Sequence, residues 1–169
     1  GNWAVGQDDK EYVDDWKPQQ SDVYRVSAST GERTPVLKGQ DRTLGLSPDG
    51  KYFLYWKAGH MWSYDVAANR HVNITKSAPV SFVNGDEDHV GEKPAYGISG
   101  FAKDGKSVVL DHKYDLWVVP LDGVGAPRLR DRHDCGRLFQ RQADRRDARR
   151  HVDAGHALAI EARDDAFDV

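Results

Sequence analysis

The run Leu46-Ser47-Pro48-Asp49-Gly50-Lys51 returns 55 residues later as Phe101-Ala102-Lys103-Asp104-Gly105-Lys106, and the two segments after it return as well. Tyr52-Phe53-Leu54-Tyr55 and Met61-Trp62-Ser63-Tyr64 fall on Ser107-Val108-Val109-Leu110 and Leu116-Trp117-Val118-Val119 without a gap. A partial third copy lies at an offset of 38, where Asp22-Val23-Tyr24-Arg25-Val26 falls on His60-Met61-Trp62-Ser63-Tyr64 and Gly31 on Asn69. Self-similarity at this spacing is the mark of a small supersecondary unit built several times and stacked on itself.

The chemistry of each segment says what the unit is. Pro-Asp-Gly supplies a fixed φ, an Asx-type turn and a residue free to take positive φ, which is what a tight hairpin needs. The flanking runs are strand-length and rich in Val, Tyr, Phe and Trp. Tyr52–Trp56 is apolar on both alternating faces, so that strand is expected to be covered on both sides. Ser29–Glu32, Ala67–Arg70 and Asp122–Gly125 read as the next hairpin turns, and Arg33–Leu37, His71–Thr75 and Ala126–Leu129 as the strands leading out. One unit is therefore strand, Asp-Gly turn, strand, short link, aromatic strand, turn, strand. A β-sandwich with turns every ~8–12 residues shares the strand pattern. The in-phase Asp-Gly and aromatic recurrence favours the blades of a β-propeller, four-stranded antiparallel sheets arranged radially. The fold class is thus all-β, an incomplete propeller of about three to four blades, since closed propellers usually have ~4–8.

Composition narrows the function classes. Lys and Arg total 24 against 27 Asp and Glu, a net charge of -3. That balance predicts neither a nucleic-acid partner nor a membrane-surface one. A single Cys excludes an internal disulfide and a Cys-based zinc cluster. No apolar run approaches the ~18–20 residues of a membrane span. The chain opens on Gly1-Asn2-Trp3 without an apolar leader, so a signal peptide is expected to be absent or already removed.

With those residues in hand a resemblance emerges. Ser47-Pro48-Asp49-Gly50-Lys51 before an aromatic strand resembles the blades in the N-terminal propeller of prolyl oligopeptidase-family serine peptidases. Asp86-Glu87-Asp88-His89, Pro94-Ala95-Tyr96-Gly97, Phe101-Ala102-Lys103-Asp104-Gly105 and Tyr114-Asp115-Leu116-Trp117 together are similar to a bacterial, usually exported branch of that family, and the likeness covers roughly residues 12–127. The short Asp-Gly blades also suit the propeller of the Tol-system periplasmic protein. The peptidase resemblance implies a propeller capping an α/β-hydrolase domain of the same parent protein and admitting short peptides to a Ser-Asp-His triad. None of that triad transfers to this chain. Gly97-Ile98-Ser99-Gly100-Phe101 approaches the Gly-x-Ser-x-Gly elbow but ends on Phe and lies where a blade's first strand begins.

Other reactive residues reduce to packing or solvation. Asp86-Glu87-Asp88-His89 offers oxygen and imidazole ligands, yet lacks the Asp-x-Asp-x-Asp-Gly spacing of a calcium loop and reads as a solvated link between blades. His60, His71, His89 and His112 are scattered, without metal-ligand spacing. Trp62 and Trp117, at the same position in successive units, are expected to fill space between blades; Trp3, Trp16 and Trp56 carry no signal of their own. Cys135, with His133 and Asp134 nearby, lacks a recognisable oxyanion hole or orienting group. No catalytic, cofactor-binding or metal residue is assigned, and no cofactor is expected.

Composition changes abruptly near residue 128. Residues 128–150 hold nine Arg and four Asp, whereas all ten Lys lie at or before Lys113. Three readings compete: a reading-frame slip in a GC-rich gene, a short charged helix around Leu138, Phe139, Gln142, Ala143 and Arg146, and a basic arm, in that order of preference. The domain reading is blades over 1–127, an Arg/Asp-rich segment over 128–151, and over 152–169 a strand of a further blade, where Asp153–Ala162 resembles a family strand. The leading functional expectation is a non-catalytic propeller portion of a serine peptidase, gating short peptides, periplasmic or secreted if the parent is exported. The alternative is a stand-alone periplasmic propeller that binds a protein partner.

Overall fold

The computed structural model describes residues 2–130 except 14, 15, 17 and 89. Eleven strands form three antiparallel sheets. The first contains β1 (Trp3–Asp8), β2 (Ser21–Ser27) and β3 (Arg33–Gln40). The second runs in order β4 (Thr43–Leu46), β5 (Tyr52–Lys57), β6 (His60–Asp65) and β7 (Arg70–Asn73). The third repeats that order with β8 (Ile98–Phe101), β9 (Ser107–His112), β10 (Asp115–Pro120) and β11 (Arg128–Arg130). These are successive β-propeller blades, two with four strands and one with three. Of the segment read as 128–151, residues 128–130 form β11, and the rest of it, with Cys135 and residues 152–169, lies outside the described residues.

The repeat read from sequence is a repeat of hydrogen bonds. Gly50 N donates to Ser47 O and Gly105 N to Ala102 O, both at 2.9 Å. Lys51 N donates to Asp49 Oδ1 at 3.1 Å and Lys106 N to Asp104 Oδ1 at 2.9 Å, the Asx turn that the Asp-Gly pair encodes. Gly50 and Gly105 take φ of 72° and 68°, the left-handed region where glycine avoids a Cβ penalty. Burial works against ionisation of Asp49, but the Ser47 hydroxyl and the Lys51 amide outweigh it and hold the carboxyl below its usual range. Even the irregularities recur: β4–β5 and β8–β9 each slip register, between Thr43 and Gly45 and between Ile98 and Gly100. The first sheet fits the same frame through β2 and β3, where Val26 pairs Arg33 as Tyr64 pairs His71. Its three strands correspond to the second, third and fourth of a blade.

Side chains alternate along a strand, so each sheet has one face toward the preceding blade and one toward the next. Phe53, Tyr55 and Tyr64 pack with Val23 of the first sheet, joined by Val5 and Val36. Leu54, Trp56 and Met61 pack on the other side with Val108, Leu110, Trp117 and Val119 of the third. Four consecutive side chains, Phe53 to Trp56, are therefore buried, as a strand covered on both faces requires. Each such burial removes apolar surface worth roughly 1.5–3 kcal/mol per side chain. Trp62 and Trp117 do hold one register position, pairing Tyr55 and Leu110. Their surroundings differ. Trp117 is buried, edge-on to Phe82 at 6.2 Å, whereas half-buried Trp62 stacks on Tyr55 at 6.3 Å.

Candidate functional site

Antiparallel order sorts the connections into two ends. One end carries 28–32, 47–51, 66–69, 102–106 and 121–127, all short turns. The other carries the two-residue links 41–42, 58–59 and 113–114, but also two long segments, 9–20 between β1 and β2 and 74–97 between β7 and β8. Long loops on a rigid sheet scaffold are where binding residues concentrate.

The 9–20 segment is tied down by Asp22. Its Oδ1 accepts from Tyr12 Oη at 2.6 Å and from Gly39 N at 2.8 Å, and its Oδ2 accepts from Tyr24 Oη at 3.3 Å. The Tyr12 bond and then the Gly39 amide hold the Asp22 carboxyl below its usual range. The same bond pushes Tyr12 up to about 12, because losing its proton would set two anions side by side. Gly39 has φ of 58°, which lets its amide reach the carboxylate.

The 74–97 link is a folded strap. Asn84 N donates to Pro94 O at 2.8 Å and Tyr96 N to Phe82 O at 3.0 Å, with Val83 bridging Ala95. Arg42, in the β3–β4 link, donates to the carbonyls of Lys93 and Glu92, each at 3.2 Å. Asp86 pairs Lys113 at 2.8 Å. The acidic run is thus partly committed to an ion pair, and His89 lies outside the described residues.

Beside the 9–20 segment, at the junction of the first and second sheets, is a cleft of 350 Å³ lined by Gln7, Asp9, Gln19, Gln40, Asp41 and Thr43, among others. The amide nitrogens of Gln7, Gln19 and Gln40 are engaged internally. Gln7 Nε2 donates to Thr43 Oγ1 at 2.9 Å, Gln19 Nε2 to Asp9 Oδ2 at 3.3 Å, and Gln40 Nε2 to the Trp56 carbonyl at 2.8 Å. The cleft therefore presents mostly amide and carboxylate oxygens, beside the Gln20 amide and the Ser21 and Thr43 hydroxyls, with no Lys, Arg or His in its lining.

Among the described residues the sequence candidates do not assemble into a reaction centre. Ser99 Oγ donates to Asp111 Oδ1 at 2.6 Å, not to an imidazole. His60 Nδ1 meets Thr75 Oγ1 at 3.2 Å and His71 Nδ1 meets Tyr55 Oη at 2.9 Å. His112 sits edge-on to Tyr96 and Phe82. Among the described residues no three His, Cys, Asp or Glu side chains converge as metal ligands. Sequence reading missed the cleft, whose residues come from three separate stretches, 7–9, 19–21 and 40–43, and match no motif; the amide-rich pair Gln19-Gln20 beside β2 was the one local signal.

The chain matches no family model and no curated protein. Among solved structures it is similar to the crystal structure of TolB from Acinetobacter baumannii, at 18% identity and a TM-score of 0.27. That likeness takes in 65% of this chain, which spans 37% of the length of the other. The blade assignment rests on the repeated strand register, not on this likeness.

Proposed function

We propose that the chain is a non-catalytic β-propeller portion that binds a polypeptide partner at the end carrying residues 9–20 and 74–97. The observation that carries this reading is the asymmetry of the blades, minimal turns at one end and long, internally braced loops with an acceptor-lined cleft at the other. A propeller supplies a rigid platform, and its loops supply the recognition. The compartment that goes with this role is the periplasm. No described helix is long and apolar enough to cross a membrane.

A second reading is favoured by the similarity of Asp86–Trp117 to exported prolyl oligopeptidase-family blades. There the partner is an α/β-hydrolase domain of the parent protein, and the blades gate short peptides.

Hydrogen exchange of the 169-residue chain with an unfolded basic polypeptide such as polylysine tests the binding role. Protection is expected at 9–20 and 74–97. Protection at 47–51 and 102–106 instead, or serine-dependent turnover of peptide or ester substrates, contradicts it.

A further inference from the structure

The end that carries 9–20 and 74–97 holds two further clefts, and Ala58 of the β5–β6 link is a wall of both. The corresponding link of the third sheet is Lys113-Tyr114, where Lys113 is pinned by Asp86 at 2.8 Å. Ala58 and Gly59 carry almost no side chain, so the space beside their link is not filled from within it.

The first cleft, of 490 Å³, lies between the end of β3 and that link and is lined by Lys38, Arg42 and Lys57. Asp41 and Glu92 share the lining, three cations against two carboxylates. Among the described residues, none of those three cations is in an ion pair. Arg42 is turned to backbone, the Lys93 and Glu92 carbonyls at 3.2 Å each. Those bonds hold the guanidinium in place and leave part of its fork to donate elsewhere.

The second cleft, of 470 Å³, is walled by Ala78, Pro79, Val80, Phe82 and Val83 of the strap. The hydroxyls beside it are spent locally. Thr75 Oγ1 meets His60 Nδ1 at 3.2 Å and accepts from Met61 N at 3.0 Å, and Ser81 Oγ accepts from Val83 N at 3.2 Å. The strap that contributes to both clefts is clasped by Arg42 and by the Asp86–Lys113 pair, so the clefts are formed before a ligand arrives. Held cations beside an apolar wall suit a carboxylate carried on a partly apolar chain.

Resting on the polypeptide-binding reading, we propose that the partner presents an extended segment across Ala58, with an acidic side chain among Lys38, Arg42 and Lys57 and an apolar side chain in the cleft walled by 78–83. The charges select the segment and speed its encounter, and burial of the apolar side chain supplies affinity.

The test uses the whole chain, isotopically labelled, and the capped peptide Ac-Ser-Leu-Ser-Glu-Ser-Leu-Ser-Glu-Ser-amide, which offers the two side chains in both orders. Amide chemical shifts followed through a titration read affinity and place together. Shifts are expected at 38–42, 57–60 and 78–83, and none at 47–51 or 102–106. Binding should weaken about tenfold when Gln replaces both peptide glutamates, and by a similar factor when Ser replaces both leucines. The Lys38→Gln, Lys57→Gln double variant should lose about as much, and added salt should weaken binding to the parent chain. If the Gln-substituted peptide binds as well as its parent, or the shifts fall away from both clefts, the acidic-segment proposal is overturned. If this peptide shifts nothing while polylysine still protects 9–20 and 74–97, the proposal is likewise overturned and the broader binding role survives. If neither probe has any effect, both fall.

Discussion

Arg25 and Ser63 occupy the same position in successive blades, and each donates a hydrogen bond across the seam to the following one. Arg25 Nη2 reaches the Ala67 carbonyl at 2.9 Å, and Ser63 Oγ reaches the Leu121 carbonyl at 2.6 Å. Both acceptors lie just beyond the third strand of the next sheet. The apolar faces press the sheets together without direction, and these bonds fix how far one slides along the other.

The Ser63 bond is fully buried, so Ser63→Ala leaves the Leu121 carbonyl without its donor. The expected loss is about 1–3 kcal/mol, read by urea denaturation. A change below a few tenths would show that the seam relaxes around the missing hydroxyl.

Gly123 is the second seam contact. It has φ of 72°, and a Cβ there would overlap the Val72 side chain of the second sheet. Gly123→Ala should cost roughly 1–3 kcal/mol through steric conflict added to backbone strain. Gly50→Ala, with the same φ of 72° and nothing within 4 Å, should cost only ~1 kcal/mol. Equal losses from the two would remove the case for a tight seam at Val72.

What the sequence made legible was local and periodic. The Asp49-Gly50 and Asp104-Gly105 turns, and Gly31 over Asn69 with φ of 73° and 52°, write their geometry into neighbouring residues. β1 was not legible as a strand. Gly6 interrupts its alternation, and the 12-residue segment 9–20 replaces the two-residue link found at 58–59, so the unit falls out of phase. The cleft was illegible for a different reason: its acceptor character comes from which end of Gln7, Gln19 and Gln40 is occupied, and that is decided by tertiary hydrogen bonds. Arg25 and Ser63 share a position but not a residue type, so no motif marks them.

The two tryptophans at one register position should behave differently. Trp117→Ala removes a buried ring from the seam between the second and third sheets and should cost ~3–5 kcal/mol. Trp62→Ala, at a half-buried site with its Nε1 bonded to Lys57 O at 3.2 Å, should cost roughly 1–2 kcal/mol. Thermal denaturation of the two variants in parallel measures the difference, and a Trp62 loss as large as that of Trp117 would contradict the packing described.

The Tyr55–His71 pair predicts the pH limits of the seam between the first and second sheets. Burial, then the nearby Lys57 charge, lowers His71 from its ordinary 6.5, so the neutral ring is the one folded in. Stability from this site is complete above pH 6.5 and is lost as pH falls through the folded value. Burial pushes Tyr55 up to about 12 from 10.0, so its contribution persists in alkali until the pH rises through that range. Urea midpoints of the protein and of His71→Gln should diverge between pH ~7 and ~5, the substituted chain losing less. Parallel curves would assign the acid limb elsewhere.

The claim on which the rest depends is that the Asp-Gly units stack as successive blades with their seams in register. Nuclear Overhauser contacts in the isotopically labelled chain test it directly. Cross-peaks are expected from the Val72 methyls to the Gly123 α-protons and from Ser63 to Leu121, 51 and 58 residues apart. Cross-peaks within the β5–β6 and β9–β10 hairpins alone, with both seam contacts missing, would contradict it.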